Sequence, residues 1–131
     1  AALVSEVAAM SNVRKKLVEQ QKLMAIQKGV VMEGRDIGSV VMPNAALKFF
    51  MTADIDVRTK RRQDELLAKT GKLFPLDELK ANLIHRDRID STREDSPLTK
   101  VTDAIEIDTT HLTLEEQVEI ICKKAIEIIN A

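Results

Sequence analysis

Tryptophan and tyrosine are absent from the 131 residues, and the only aromatic side chains are Phe49, Phe50 and Phe74. Single-stranded nucleic acids are held largely by stacking bases on aromatic rings, so this scarcity argues against such a platform. A nucleotide site in this chain has to work through charge and hydrogen bonds. The one cysteine, Cys122, can form no internal disulfide and fits a reducing compartment, with the cytoplasm as the expected location. Cys122 falls inside an apolar helical pattern and is expected in the core rather than as a nucleophile. No apolar run reaches the roughly 18 residues that a membrane-spanning helix requires. The opening Ala-Ala-Leu-Val-Ser-Glu is no signal peptide, so no membrane partner is expected. Charge of one sign is lacking too: the net charge of -1 argues against holding a nucleic acid polymer by bulk electrostatics.

What is present is 44% hydrophobic and 31% charged residues in 14.7 kDa, the profile of a globular chain with one core. Ser11 is a candidate N-cap, and Val13, Leu17, Val18, Met24 and Ile26 then predict an amphipathic helix ending near Gly29, with residues 1–10 as an earlier helical turn. Val30-Val31-Met32 reads as a buried strand that delivers Glu33-Gly34-Arg35-Asp36 at its carboxyl end, and Val40-Val41-Met42 as extended chain turned by Pro43-Asn44. Another strand is expected from Leu47 to Thr52. Asp54 is a candidate cap for a very polar helix from Ile55 to about Thr70, with Gly71 as its C′ residue. Pro75 opens a helix through about His85, followed by the charged stretch Arg86 to Asp95 and by Pro97. Ala104 to Asp108 reads as a third strand, and Thr113-Leu114-Glu115-Glu116 as a capping box that starts a final helix. Alternating helices and short apolar strands point to an α/β fold, a parallel three-layer sheet with flanking helices. Three strands make it thin, as if a βα unit were missing.

Seven of the eight arginines lie between Arg35 and Arg93. Arg35 and Asp36, flanked by glycine, offer a planar donor fork for phosphate and two acceptors for amino or hydroxyl groups, although the pair can equally serve only to hold its own loop. Arg58, Arg61 and Arg62 recur at i, i+3 and i+4, so one helical face presents three guanidinium groups to a polyphosphate, or else is a solvated face offset by Asp54, Asp64 and Glu65. Asp90 and Arg93 share a face near a helix end. The plainer reading of that charge run is solvated surface. His85 and His111 lack metal-ligand spacing, and no metal site is expected. Gly29 to Asp36 has the glycine spacing of a P-loop, yet Arg-Asp stands where Lys-Ser/Thr belongs, so it is a decoy.

The run Val31-Met32-Glu33-Gly34-Arg35-Asp36-Ile37-Gly38-Ser39-Val40-Val41-Met42-Pro43-Asn44-Ala45 carries a further signal. With Lys48 to Ala53, Arg58 to Arg62, Arg86-Asp87 through Asp90 to Arg93, and Ala104 to Thr110, it closely resembles, in order, the bacterial cytidylate kinase family. The resemblance covers nearly the whole chain. It implies a P-loop nucleoside monophosphate kinase fold and transfer of the ATP γ-phosphoryl group to CMP or dCMP with Mg2+. It implies that Ser5, Arg14 and Asp36 bind the cytosine edge, that Arg35, Asp90 and Arg93 hold the phosphate and sugar, and that Arg58, Arg61 and Arg62 belong to a lid, about 55–95, that closes over the triphosphate. The family's opening strand, Gly-x-x-x-x-Gly-Lys-Ser loop and helix do not occur in these residues. Residues 1–131 therefore read as the C-terminal part of a single kinase domain, inactive alone. Its expected partners are CMP, dCMP, ATP, the missing N-terminal part of the same protein and, through an exposed sheet edge, a second copy. The competing reading is a non-catalytic nucleotide-binding or interaction module that retains the monophosphate site. A kinase for uridylate or adenylate is a third.

Overall fold

The computed structural model describes residues 3–26, 29–94 and 97–131. Helix α1 spans Val4–Ala8 and α2 spans Ser11–Ala25. A π-helical turn, Ile37–Val41, precedes strand β1, Phe49–Thr52. Then follow α3, Ile55–Thr70, α4, Leu76–Thr92, strand β2, Ile105–Asp108, and α5, Leu114–Ile129. The two strands are parallel, pairing Phe49 with Ile105 through Thr52 with Asp108. Main-chain bonds extend the ladder at both ends, from Ile105 N to Lys48 O at 2.9 Å and from Thr109 N to Thr52 O at 2.7 Å. A parallel pair needs a long crossover, and the packed helices α3 and α4 provide it. Helix α1 touches both α2 and α4, while α2 rests on the π turn.

The polar helix α3 forms as its signals predict. Asp54 occupies the N-cap position, though its side chain makes no capping bond, and Gly71 closes the helix in the left-handed region at φ 71°, its N–H donating to Leu67 O at 2.9 Å. At α5 the Thr113 hydroxyl accepts from Glu116 N–H at 3.1 Å and the Glu116 carboxylate accepts from Thr113 N–H at 3.0 Å, the reciprocal bonds of a capping box.

Four expectations are corrected. Val30-Val31-Met32 is not a strand, and Val31 is 98% exposed. An apolar run becomes a strand only where a neighbour bonds its backbone, and among the described residues β1 and β2 pair only with each other. Arg35 and Asp36 therefore leave a loop rather than a strand end. Val40-Val41 is not extended but helical, because the π turn puts Ile37 and Val41 on one side, where both are buried. Helix α4 does not stop near His85 but continues to Thr92. No glycine or proline interrupts it, and Arg86, Asp87 and Asp90 take their counter-charges from one another and from other elements. Cys122 is exposed rather than buried, as α5 buries no residue and its apolar side chains Leu114, Val118, Ile126 and Ile129 are exposed.

The sheet is thus two-stranded among the described residues, not three-stranded. The expected helix end near Gly29 and the expected helicity of residues 1–2 fall partly on residues outside those described, as does the Asp95 end of the charged stretch; α2 is described to Ala25.

Only four hydrophobic side chains, Ile37, Val41, Leu79 and Ile107, are buried among the described residues, against nine polar or charged ones. Burying a charge costs several kcal/mol unless it is paired. The interior of this chain is therefore organised around ion pairs, and they mark the site.

Candidate functional site

Five of the buried polar residues, Ser5, Arg14, Asp36, Asp90 and Arg93, meet where α1, α2, α4 and the loop before the π turn converge. They line one cavity of about 130 Å³, and Arg35 lines it as well. Each arrives by a local rule. Ser5 is the buried residue of α1 and Arg14 that of α2. Asp36 is placed because its carbonyl starts the π turn, accepting from Val40 N at 2.9 Å and Val41 N at 3.3 Å. At Gly34 a Cβ would meet Ile37 Cγ1 at 3.0 Å, so the loop runs closest to the turn where no side chain is present. Asp90 is buried in the last turn of α4, and its carbonyl accepts from Leu98 N at 2.7 Å, which ties the chain after α4 back onto the helix.

The electrostatics are those of two coupled clusters. Arg14 Nη2 lies 3.7 Å from Asp36 Oδ2, with both side chains under a tenth exposed. Asp90, 2% exposed, faces three guanidinium groups: Arg35 at 3.3 Å, Arg93 at 3.4 Å and Arg86 at 3.7 Å. Burial and the neighbouring Arg14 charge push the Arg93 guanidinium below its ordinary pKa, against the opposite pull of Asp90 and Asp36. Several buried polar atoms of the lining residues make no hydrogen bond to the described residues: Ser5 Oγ, Arg14 Nε, Asp36 Oδ2 and Asp90 Oδ2 among the expected ones, with Gln21 Oε1 and Arg86 Nε beside them. Buried polar atoms left without partners concentrate where a ligand or water completes them.

The arginines of α3 lie elsewhere and diverge. Arg58 bonds Asp87 on α4 at 2.5 and 3.0 Å. Arg61 crosses to the β2–α5 connection, donating to Thr109 O at 2.5 Å and Thr109 Oγ1 at 3.0 Å. Arg62 pairs along its own helix with Glu65 at 3.0 Å. None of the three lines the cavity. The spacing that predicts one shared face is present, but long side chains follow their hydrogen-bond acceptors, and these lie in three directions.

Sequence reasoning overlooked Gln21, Arg86 and Asp87. Gln21 and Arg86 line the cavity. Their signals were helical: Gln21 follows Arg14 by two turns on one face, and Arg86 precedes Asp90 by one. Asp87 bridges the cavity wall to α3, since Arg35 Nη1 donates to it at 2.9 Å while Arg58 holds its other side. Burial raises the Asp87 pKa, yet the hydrogen bonds from Arg58 and then Arg35 outweigh it and hold the carboxyl below its ordinary value. The same bond raises the Arg58 pKa. A carboxylate depressed in the native state stabilises the fold above its unfolded pKa of about 3.9 and loses that contribution as pH falls through the native value. Urea unfolding from pH 7 to pH 3 is expected to show a steeper acid loss of stability in the wild type than in Asp87→Asn. Parallel curves would refute the latch.

His85 Nε2 lies 3.1 Å from Glu6 Oε1 and links α4 to α1 outside the cavity. A wider groove of about 400 Å³ shares Arg14, but Lys15, Glu19, Lys22 and Glu94 on its rim are exposed and of mixed charge. Size favours that groove; the buried, converging polar atoms favour the smaller cavity, and chemistry decides for the latter. Among the described residues no three His, Cys, Asp or Glu side chains converge as metal ligands, and no helix is long and apolar enough to cross a membrane.

Comparison with known proteins fits this geometry. Residues 1–127 match the family model described as cytidylate kinase. The cytidylate kinase of Cytophaga hutchinsonii is 53% identical over 123 residues, covering 94% of this chain and 52% of that protein. That of Flavobacterium johnsoniae is 56% identical over 114 residues, or 87% and 49%, and that of Geobacillus thermodenitrificans is 47% identical over 127 residues, or 97% and 54%. The chain thus spans about half the length of the curated relatives it matches. With identity this high over nearly all its residues, the chain belongs to the cytidylate kinase family.

Proposed function

We propose that the chain is the C-terminal half of a cytidylate kinase domain and that its small cavity receives the base end of CMP or dCMP, to which the assembled enzyme transfers the γ-phosphoryl group of ATP. The observation that carries this reading is the convergence of Ser5, Arg14, Arg35, Asp36, Asp90 and Arg93 on one cavity with buried, unbonded polar atoms. Cytosine carries an exocyclic amine beside a ring nitrogen and a carbonyl. Asp36 accepts from the amine, while Arg14 and Ser5 donate to the ring nitrogen and carbonyl. The Arg14–Asp36 ion pair fixes donor and acceptor before the base arrives, so little reorganisation remains on binding. Arg35 and Arg93 hold the monophosphate, and Asp90 orients them and the sugar.

A cavity of about 130 Å³ is below the roughly 300–1,000 Å³ of sites for drug-sized ligands, so the phosphate end binds by displacing the Asp87 carboxylate from Arg35. Arg58 on α3 holds the same carboxylate through two bonds of its own and exchanges them for phosphate oxygens when it reaches the transferred group. Helices α3 and α4, about 55–95, then form a lid in which Arg58, Arg61 and Arg62 stabilise charge on the transferred group. Phosphoryl transfer depends chiefly on in-line positioning and on such cations. Among the described residues no side chains build a protein cage for Mg2+, which keeps water and phosphate oxygens as ligands in most kinase sites.

The 131 residues contain no Gly-x-x-x-x-Gly-Lys-Ser/Thr loop to cradle the β- and γ-phosphates. The proposed three-layer sheet, the cover for the open α5 face and the ATP cradle are therefore assigned to the rest of a polypeptide of the relatives' length. The test is CDP formation from CMP and magnesium ATP, with UMP and AMP as parallel acceptors. The 131-residue chain is expected to give no product and the whole gene product to phosphorylate CMP. Turnover by the short chain would overturn the assignment of the ATP site. A binding module without catalysis would show CMP affinity and no CDP in either form.

A further inference from the structure

Resting on the reading of the cavity as a base site, we infer that Gln21 is a specificity-determining residue whose amide oxygen accepts the second N–H of the cytosine amine. An exocyclic amine has two N–H groups, and Asp36, engaged with Arg14 at 3.7 Å, serves one of them. Gln21 sits on α2 seven residues beyond Arg14, two turns along the same face, and helical side chains lean toward the N-terminus, here toward Arg14. Its Oε1 is buried, Gln21 lines the same cavity, and that oxygen has no hydrogen-bond partner among the described residues. Leaving a buried amide oxygen unbonded forfeits its solvation with nothing in return, so the position is unfavourable in the ligand-free chain. A helix offers cheaper residues for that place: leucine or methionine would fill it without an orphaned acceptor.

The cavity therefore supplies an acceptor that the chain itself does not use, beside one that it uses only in part. Cytosine presents two donors on one nitrogen at that edge, whereas uracil presents a carbonyl there and meets two acceptors. The Asp36 carboxylate keeps that carbonyl from seating in the cavity, so uracil draws no bond from Gln21. Gln21 thus contributes chiefly to cytosine affinity, and Asp36 to rejection of uracil.

The test is CMP and UMP binding by calorimetry on the whole gene product, with thermal unfolding of the ligand-free protein alongside. Gln21→Met, similar in shape and without an acceptor, is expected to weaken CMP binding about three- to tenfold, the value of one hydrogen bond. UMP and ATP binding should be unchanged. The ligand-free melting temperature should hold or rise, because the unbonded oxygen is gone. Gln21→Glu, which keeps an acceptor at the same reach, should restore most of the CMP affinity. Wild-type CMP affinity in Gln21→Met, or a lowered ligand-free melting temperature with no selective loss of CMP, would overturn the role of Gln21. Failure of the wild type itself to bind CMP would instead overturn the assignment of the cavity, and Gln21 with it.

Discussion

Asp90→Asn is expected to lower the free energy of unfolding by about 3–5 kcal/mol, the cost of removing one partner from a buried ion pair. Asp90 is 2% exposed and faces Arg35, Arg86 and Arg93 at 3.3 to 3.7 Å. Neutralising it leaves four guanidinium groups, Arg14, Arg35, Arg86 and Arg93, around one cavity with Asp36 as the one lining carboxylate, while Asp87 holds Arg35 from outside. Arg86, 43% exposed at its side chain, can turn to water, whereas Arg93, at 2%, cannot. A small domain is stable by only about 5–15 kcal/mol, so the substitution consumes a large share of the total. Urea unfolding of the variant at neutral pH measures the loss, and Glu119→Gln on the open surface of α5 is the control, expected to lie within about 0.5 kcal/mol of wild type. Phosphate or CMP added to the Asp90 variant should recover part of the stability, since an anion among the arginines replaces the missing charge. Equal stability of the two variants would mean that Asp90 is not the counter-charge of this cluster.

Asp36→Ala is expected to weaken CMP binding about 10- to 100-fold, the value of a hydrogen bond to a charged group, and to leave ATP binding nearly unchanged. Asp36 is 3% exposed, so its loss also leaves Arg14 buried without its counter-charge, and the variant should unfold more easily. Asp36→Asn separates the two effects. It keeps the shape and one acceptor, but its amide also donates, so it should narrow the preference for CMP over UMP while losing less CMP affinity than the alanine variant. Equal weakening of CMP and ATP would count against a base-reading role for Asp36.

The parts of this molecule that were legible in its sequence are those determined locally. Gly71 and Thr113 mark helix ends through their own backbone and side-chain chemistry, and both elements form where those residues place them. The parallel strands around Phe50 and Ile107 were legible as short apolar runs, and the residues gathered at the cavity were legible as a family pattern. What failed depended on neighbours. Val30 to Met32 has the composition of a strand and no strand beside it among the described residues. The α5 pattern places Cys122 on a face that would be buried if a second layer covered it, and among the described residues no side chain of α5 is buried. The three α3 arginines share a helical spacing, but Asp87, Thr109 and Glu65 draw them apart. Gln21 and Arg86 look like ordinary surface polar residues until the packing of α1 against α2 and α4 encloses them. Periodicity reports which face a helix turns inward; it is silent on which polar atoms that face leaves unbonded.

The central claim is that the cavity between α1, α2 and α4 reads the base of a cytidine monophosphate. Amide and side-chain NMR of the labelled gene product, titrated with CMP and separately with UMP, tests it most directly. The account predicts saturable CMP shifts centred on Ser5, Arg14, Gln21, Asp36, Asp90 and Arg93, with UMP producing weaker shifts at higher concentration. CMP shifts centred instead on the open groove at Lys15 and Lys22, or identical responses to the two nucleotides, would contradict it.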